Sequence, residues 1–433
     1  MSQKDTWCGI GVMVNKTTQS ILWIFLVVFS GCSQNVDKEK QVDLNQIKDQ
    51  LRSLPYVSFS KTQSGQESGV VENNEEVSCP GYNLYVTRSL CLAELLDHKG
   101  NIVQSWHDHT FRIWQDFELL PDGTFLVIGQ KKTKEKASLE DPFENRAILK
   151  LSWQGEKLEE ISIQAHHEIH FSAGKPLLTL LFDHRSIPEL HSKTPVLDNR
   201  IATLSEHGEV IDSLSLYDLL NGTPGFKLQK VKESDYLKVK HIDLVHTNTV
   251  EWIGLEANSP IYSRGNIIVT MRHQDTVAII DWEKKRVVWT WGQGELSGPH
   301  DATMLENGNI LIFDNGLGRE WSRVVEMNPL SKEIVWEYRD PELKNFYSTT
   351  RGTSQRLPNG NTLITESNKG RVFEVLPSGE VVWDFYTPHK NNKGHRANII
   401  RMRRYSLNYI QNIQKPTKTA ISGPENPGLY PSE

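Results

Sequence analysis

The chain has 433 residues, of which 37% are hydrophobic, 9% aromatic and 24% charged. That composition excludes a mostly disordered chain and any collagen-like or heptad bias, and it is enough for a large core. The formal net charge of −6 argues against phosphate-backbone binding, so no nucleic-acid partner is expected.

In chain order, residues 1–31 read as a lipoprotein signal peptide. Residues 21–29 (ILWIFLVVF) form an apolar run of nine, with Lys4 and Lys16 upstream. A bilayer span needs about 20 residues, so this run suits the core of a secretory signal. It ends in Phe29-Ser30-Gly31-Cys32. Small residues just before a cysteine match a bacterial lipoprotein cleavage site, which would make Cys32 the acylated N-terminus and a stable anchor. Ser33 would then permit sorting to the outer membrane, facing the periplasm. An ordinary signal peptide or a buried strand is the alternative. Loss of residues 1–31 discards Cys8 and leaves Cys79 and Cys91 besides Cys32. Export makes a structural disulfide between Cys79 and Cys91 one reading; two free buried thiols are the other.

Residues 32–77 are polar and read as a tether, with a short helix allowed over 42–54 by apolar positions 44, 47, 51 and 54. Beyond them the texture turns to short β-like runs. KRVVWTW, KEIVWEY and GEVVWDF stand at Val288, Val335 and Val382, spaced by 47 and 47. GNIVQSW at Val103 shares the form, and weaker copies stand at Leu158 and Ile211. A second set of hairpins interleaves, turning on Asp122-Gly123, Asn307-Gly308 and Asn359-Gly360, dipeptides that supply the positive φ of tight turns. Six such units over residues 78–408 predict an all-β fold, a six-bladed β-propeller of four-stranded antiparallel blades. Residues 409–433 read as a disordered tail.

The informative column lies just before each inner strand. His300, His246, His167 and His395 fill four of its six places; Gln115 and Gly352 fill the others. The chain has 15 His, so four hits in six places exceed chance. Strand-capping imidazoles are the bland explanation for any one of them. As a set they would converge on the ring axis, as a metal site or as an anion site. Arg272, Arg351 and Arg396 in the same region favour the anion, because guanidinium clamps oxyanions and cannot bind a metal. No metal site is therefore expected. Asn248 stands two residues after His246, on the same face of a regular strand, and would add an amide donor. No glycine-rich phosphate loop precedes a helix, so nucleotide binding has no support.

GYNLYVTRSLCLAELLDHKGNIVQSW (81–106), AHHEIHF (165–171), DLVHTNTVEWI (243–253), IIVTMRHQDTVAIIDW (267–282), GPHDATMLENGNILIFDNG (298–316) and RGTSQRLPNGNTLITESNKGRVFEV (351–375) resemble the bacterial arylsulfotransferase family, in its propeller-only branch. The resemblance implies sulfuryl transfer between phenols, from a small aryl sulfate donor to a phenolic acceptor, with no nucleotide and no cofactor. It implies that His300 is a transiently sulfated nucleophile. His246, Arg272 and His167 would complete the catalytic set. Asn248, His166, Arg351, Thr353, His395 and Arg396 are the candidate substrate-binding residues, with the choice between His166 and His167 open. A non-catalytic, lipid-anchored binding propeller is the competing reading.

Overall fold

The computed structural model describes residues 59–60, 67–132, 145–230, 241–255 and 259–415. The signal segment, Cys32, the short helix expected over 42–54 and the chain after 415 lie outside the described residues.

Two short strands come first, β1 (Phe59–Ser60) and β2 (Gly69–Asn73). The first blade takes β3 (Tyr82–Thr87), β4 (Leu92–Leu96) and β5 (Ile102–His107). The second is β6 (Phe111–Leu119), β7 (Phe125–Lys131), β8 (Arg146–Leu151) and β9 (Lys157–Ser162). The third is β10 (Ala165–His170), β11 (Leu177–Arg185), β12 (Val196–Leu204) and β13 (Val210–Ser215), followed by helix α1 (Leu216–Asn221). The fourth is β14 (Thr247–Trp252), β15 (Asn266–Met271), β16 (Thr276–Asp281) and β17 (Arg286–Trp291). The fifth is β18 (His300–Met304), β19 (Ile310–Asp314), β20 (Arg323–Met327) and β21 (Ile334–Tyr338). The sixth is β22 (Thr353–Arg356), β23 (Thr362–Glu366), β24 (Arg371–Val375) and β25 (Val381–Tyr386). The ring closes through β26 (Arg396–Ala397) and β27 (Ile399–Tyr405), and helix α2 (Leu407–Gln414) follows.

Each blade is antiparallel, and β27 pairs with β3, so this late strand is the innermost strand of the first blade. The fold is the six-bladed β-propeller that the repeat predicts. The predicted turns hold: Gly308 and Gly360 have φ of 84° and 88°. The Asn307 and Asn359 side chains accept the backbone N–H two residues on, at 3.0 and 3.1 Å. Most of the recurrent tryptophans stitch neighbouring blades. The indoles of Trp106, Trp289, Trp336 and Trp383 each donate to a turn carbonyl of the next blade, on Ser152, Pro329, Pro377 and His98.

Three boundaries and pairings differ from the sequence reading. Strand β2, inside the expected tether, pairs with β25 as a fifth strand of the sixth blade. Helix α2 occupies the start of the expected disordered tail. Ser406 caps it by accepting the Tyr409 N–H, and Tyr409 donates its hydroxyl to the Leu119 carbonyl at 2.7 Å. Tyr409 and Ile410 are buried in the core of the first two blades, so apolar contact orders a segment whose composition suggests none. Cys79 and Cys91 lie in separate core clusters and form no disulfide with each other. Burial pushes the Cys91 thiol up to about 12, so it is a protonated, inert core group.

The innermost strand of every blade has one edge with no strand beside it. Unpaired N–H groups on that edge need acceptors, and each preceding blade supplies one. Around the ring these are the Arg88 carbonyl for Trp114, Asp116 for Ile169, Asn199 for Thr247, Glu251 for Met304, Asp301 for Ser354 and Thr365 for Met402. On the axis, Arg401 of β27 binds Glu168 at 2.7 and 2.8 Å, Asp116 at 3.1 Å and Asp301 at 3.2 Å. All four side chains are buried. Replacing Arg401 with Met should leave three buried carboxylates without a cation and cost about 3–5 kcal/mol of stability. Urea unfolding reads this directly, and a loss under about 1 kcal/mol would show that the network does not hold the ring.

A histidine and arginine cluster at the start of the inner strands

The inner strands begin with irregular backbone. Register shifts occur between His166 and Ile169, Thr247 and Thr249, and His300 and Thr303. His167, His246, Asp301 and Arg351 stand in the left-handed region, with φ of 58°, 48°, 51° and 58°. Such conformations in non-glycine residues cost about 1–3 kcal/mol each and concentrate at functional sites. Each bulge re-aims the side chains that follow it, which is how imidazoles from three blades meet.

The His167 and His246 ring centroids are 5.3 Å apart, and those of His246 and His273 are 4.6 Å apart. His166 is fully buried and stacks on Phe182 at 3.4 Å; its Nδ1 meets Nδ1 of His167 at 2.7 Å. His167 is the partly exposed member of the pair and the one beside His246. The His246 Nδ1–H donates to the Asp243 carboxylate. Asp243 also accepts the His246 backbone N–H at 3.0 Å and the Asn199 amide at 3.3 Å. No hydrogen bond engages Nε2 of His246 among the described residues.

His300 is 7% exposed. Its Nδ1 donates to Oδ1 of Asn315 at 2.6 Å, which fixes the tautomer and makes Nε2 the acceptor nitrogen. Asn315 is itself pinned, because its amide donates to the Ser348 and Arg351 carbonyls, both at 2.7 Å. His300 Nε2 accepts the Arg351 backbone N–H at 3.1 Å. Gly352 follows with φ of 100°, and a Cβ there would stand 2.3 Å from the Phe313 ring, so this turn admits glycine alone.

The chemistry of this donor set can be compared with what is known of other chains. The profile of the family described as Arylsulfotransferase (ASST) matches residues 144–388, more than half of the chain. The chain belongs to the arylsulfotransferase family. No curated protein matches it. A crystal structure of a protein of unknown function from Bacteroides caccae is 14% identical, with 75% of this chain and 98% of that one covered at a TM-score of 0.45. A catalytically inactive virginiamycin B lyase from Staphylococcus aureus, crystallised with quinupristin, is 10% identical, with 74% and 88% covered at 0.41. These scores are too low to bear on the fold or the chemistry.

Within this arylsulfotransferase chain the structure gathers His166, His167, His246, Arg272 and His300, with Arg351 at the edge of His300. Asn248 is buried beside the residue that precedes His300. The register shift at Thr247 breaks simple alternation, and its amide donates to the Pro299 carbonyl at 3.3 Å. Thr353 lines a separate cavity at the other end of the inner strands. His395 sits in a turn before β26, where its N–H donates to Asn391. Arg396 binds the Thr387 and Glu67 carbonyls at 2.9 and 2.8 Å and lies over the Tyr386 ring. The column reading misses Asp243, His273, Asn315 and Arg146. Their signals are the Asp of DLVH, the residue after Arg272 and the Asn of FDNG; Arg146, on β8, has none. The Arg146 guanidinium acts on both His166 and His167.

Ligand atoms of Asp243, His246 and His273 lie within 4.8 Å of one another, a spacing that could hold a metal ion. Their contacts disfavour one. His246 and Asp243 are bonded to each other, and an Arg272 guanidinium nitrogen stands 3.0 Å from Nε2 of His273. A cation there suits an oxyanion. Burial, then neighbouring cations and imidazoles, holds His167 and His300 well below the usual imidazole range, so both rings are neutral. Burial raises and the rings of His246 and His273 lower the Asp243 carboxyl; the rings win, and it stays ionised.

His273 is pushed down to about 3, by burial first and then by His246. Its folded form refuses a proton that the unfolded chain accepts near pH ~6.5, so its contribution to stability is lost as pH falls from about 6.5 towards 3. His273→Asn should remove that dependence. The difference in unfolding free energy between variant and wild type should shift towards the variant by at most about 1.4 kcal/mol per pH unit across the window. Parallel pH profiles for the two proteins would contradict a neutral His273.

Proposed function

We propose that the chain is an exported, lipid-anchored aryl-sulfate sulfotransferase that works by ping-pong transfer through a sulfated His300, without a cofactor. Family membership supports aryl sulfate as donor and a phenol as acceptor in general. The observation that carries the finer reading is the Asn315–His300 bond. It holds a buried, neutral imidazole with Nε2 as its nucleophilic atom, among Arg272, His246 and His167.

In the first half-reaction, His300 Nε2 attacks the sulfur in line, and the ester S–O bond breaks with its electron pair leaving on the phenoxide. Protonated His246 gives its Nε2 proton to that oxygen. Asp243 holds the ring through Nδ1 and offers the opposite charge to the imidazolium. The N-sulfated His300 ring carries a positive charge, and Asn315 Oδ1 accepts its Nδ1–H. In the second half, neutral His246 takes the acceptor phenol's proton. The phenol oxygen attacks sulfur, the S–N bond breaks, and His300 is restored. Arg272 and Arg351 stabilise the equatorial oxygens. The Arg351 N–H must leave Nε2 before attack, which makes the Arg351–Gly352 turn part of substrate entry. That same bond favours the second reading, a binding propeller without turnover.

A chromogenic phenyl sulfate with a phenol acceptor distinguishes the two. Wild type should turn over and gain the mass of one sulfuryl group on His300 when given donor alone. His300→Ala should do neither, and turnover by that variant at the wild-type rate overturns the assignment. No turnover and no mass gain in wild type favours binding. Asp243→Asn should lower kcat about 10²–10⁴-fold with little change in KM and should alter the pH profile; an unchanged profile would reduce Asp243 to a structural role. Cys32→Ser should abolish lipid labelling and release the protein from membranes; retained labelling would refute the anchor.

A further inference from the structure

The turn after β15 touches both halves of the cluster. Residues 272–274 form a short 3₁₀ turn, and Asp275 ends it in the left-handed region, at φ of 48°. The turn is fastened to the segment that carries His246. The Arg272 N–H donates to the His246 carbonyl and the His273 N–H to the Val245 carbonyl, both at 3.1 Å. It is also fastened to the segment that carries His300. The Asp275 carboxylate accepts the Gly298 N–H at 2.7 Å, and the Gly298 carbonyl stands 3.1 Å from Nδ1 of His300.

His273, in the middle of this turn, has both ring nitrogens committed. Nδ1 stands 2.6 Å from the Asp243 carbonyl, and Nε2 stands 3.0 Å from Nη1 of Arg272. A carbonyl oxygen only accepts a hydrogen bond, and a guanidinium only donates one. Nδ1 therefore carries the proton and Nε2 offers its lone pair to Arg272. The two partners fix the tautomer, and the neutral ring is the form that satisfies both. The His273 ring also lies against that of His246, with centroids 4.6 Å apart, and His246 in turn donates to the Asp243 carboxylate. One imidazole thus joins the backbone of Asp243, the ring of His246 and the charge of Arg272. That charge acts on the His300 ring as well, so where Arg272 points matters to the nucleophile.

We propose that His273 is a positioning residue of the sulfuryl-transfer site: its Nε2 aims the Arg272 guanidinium, and its Nδ1–H ties that aim to Asp243. The cation and the His246–Asp243 pair then keep one fixed spacing. The inference rests on the proposed role of Arg272 as a group that holds the equatorial oxygens of the sulfuryl group. A neutral imidazole suits this work better than a carboxylate would. A carboxylate would offset the guanidinium charge, whereas the imidazole accepts one N–H and leaves the charge for an anion. Small errors in such aim are expensive, since a misplacement of about 1 Å can lower a rate about 100-fold.

Two substitutions separate the two bonds. An Asn amide falls near Nδ1 of a histidine, so it can still donate to the Asp243 carbonyl but offers Arg272 no acceptor. A Gln amide falls near Nε2, and its oxygen can accept from Arg272. Turnover of a chromogenic phenyl sulfate by the full chain is measured for each, normalised to the folded fraction by near-ultraviolet circular dichroism. His273→Asn should lower kcat/KM about 10–100-fold, and His273→Gln should stay within about threefold of wild type. A role confined to holding the Asp243 backbone predicts the reverse order, so a Gln variant no better than the Asn variant overturns the proposal. Titration calorimetry with benzenesulfonate, whose carbon–sulfur bond offers no phenoxide leaving group, reads the same clamp without transfer. Wild type and His273→Gln should bind it with similar affinity, and His273→Asn about tenfold more weakly. That contrast without wild-type turnover refutes the enzyme and upholds His273 as the residue that aims Arg272. Wild-type turnover with no contrast between the variants upholds the enzyme and refutes the proposal. Neither turnover nor sulfonate binding in wild type overturns both.

Discussion

The ring depends on one buried cation. Arg401 reaches from the closing strand to carboxylates on the second, third and fifth blades, so a single side chain ties that strand to distant parts of the circle. Buried ion pairs are weak evidence for net stability, because desolvation offsets attraction. Their value here is geometric. The carboxylates that Arg401 gathers are partly the same groups that accept N–H donors from the next blade: Asp116 serves Ile169, and Asp301 serves Ser354. Moving any one would leave both a charge and an edge amide unsatisfied. The network also has more acids than cations, and burial pushes Glu168 up to about 7.

This rigid floor is what allows the inner strands to start badly. A bulge or left-handed residue at the strand start is a local loss, tolerable only where the surroundings over-determine it. His167 precedes Glu168, and His300 precedes Asp301, so each of these site imidazoles is one residue from an anchor on Arg401. The strained turn and the anchored carboxylate are two halves of one device. The anchor fixes the backbone, and the turn aims the ring.

Much of this was legible in sequence because repeats report geometry directly. The spacing of Val288, Val335 and Val382, and the Asn-Gly and Asp-Gly turns, specify blades without reference to any distant contact. The His column was legible for the same reason, since a recurring place in a repeat is a recurring place in space. It failed where the repeat is broken. His395 precedes β26, whose register belongs to β1, and the innermost strand starts later, at Ile399. The bulge at Thr247, which sets where Asn248 points, cannot be read from alternation. Asp243, Asn315 and His273 touch the column residues rather than occupy it, and a repeat reading ranks only the column. The separation of Cys79 from Cys91 and the order of helix α2 depend on where buried surface happens to lie, which composition does not encode.

The balance of charge in the cluster bears on what kind of ester it could handle. A sulfate monoester carries one negative charge, and a phosphate monoester near neutral pH carries close to two. Arg272 stands 3.0 Å from Nε2 of His273, the Arg146 guanidinium acts on His166 and His167, and the Arg351 backbone covers His300. Burial keeps His167, His273 and His300 neutral, and Asp243 contributes an opposing charge. Burial that weakens imidazole as a cation leaves its lone pair unprotonated, which is the property a nitrogen nucleophile needs. The proposed attack on a sulfate monoanion by a neutral ring draws on that same desolvation. Arg351 carries this furthest. Burial lowers its guanidinium to about 10, so it remains charged at neutral pH, and its backbone amide is the group that covers His300. One residue thereby supplies both the charge that would draw the anion in and the hydrogen bond that the anion must displace.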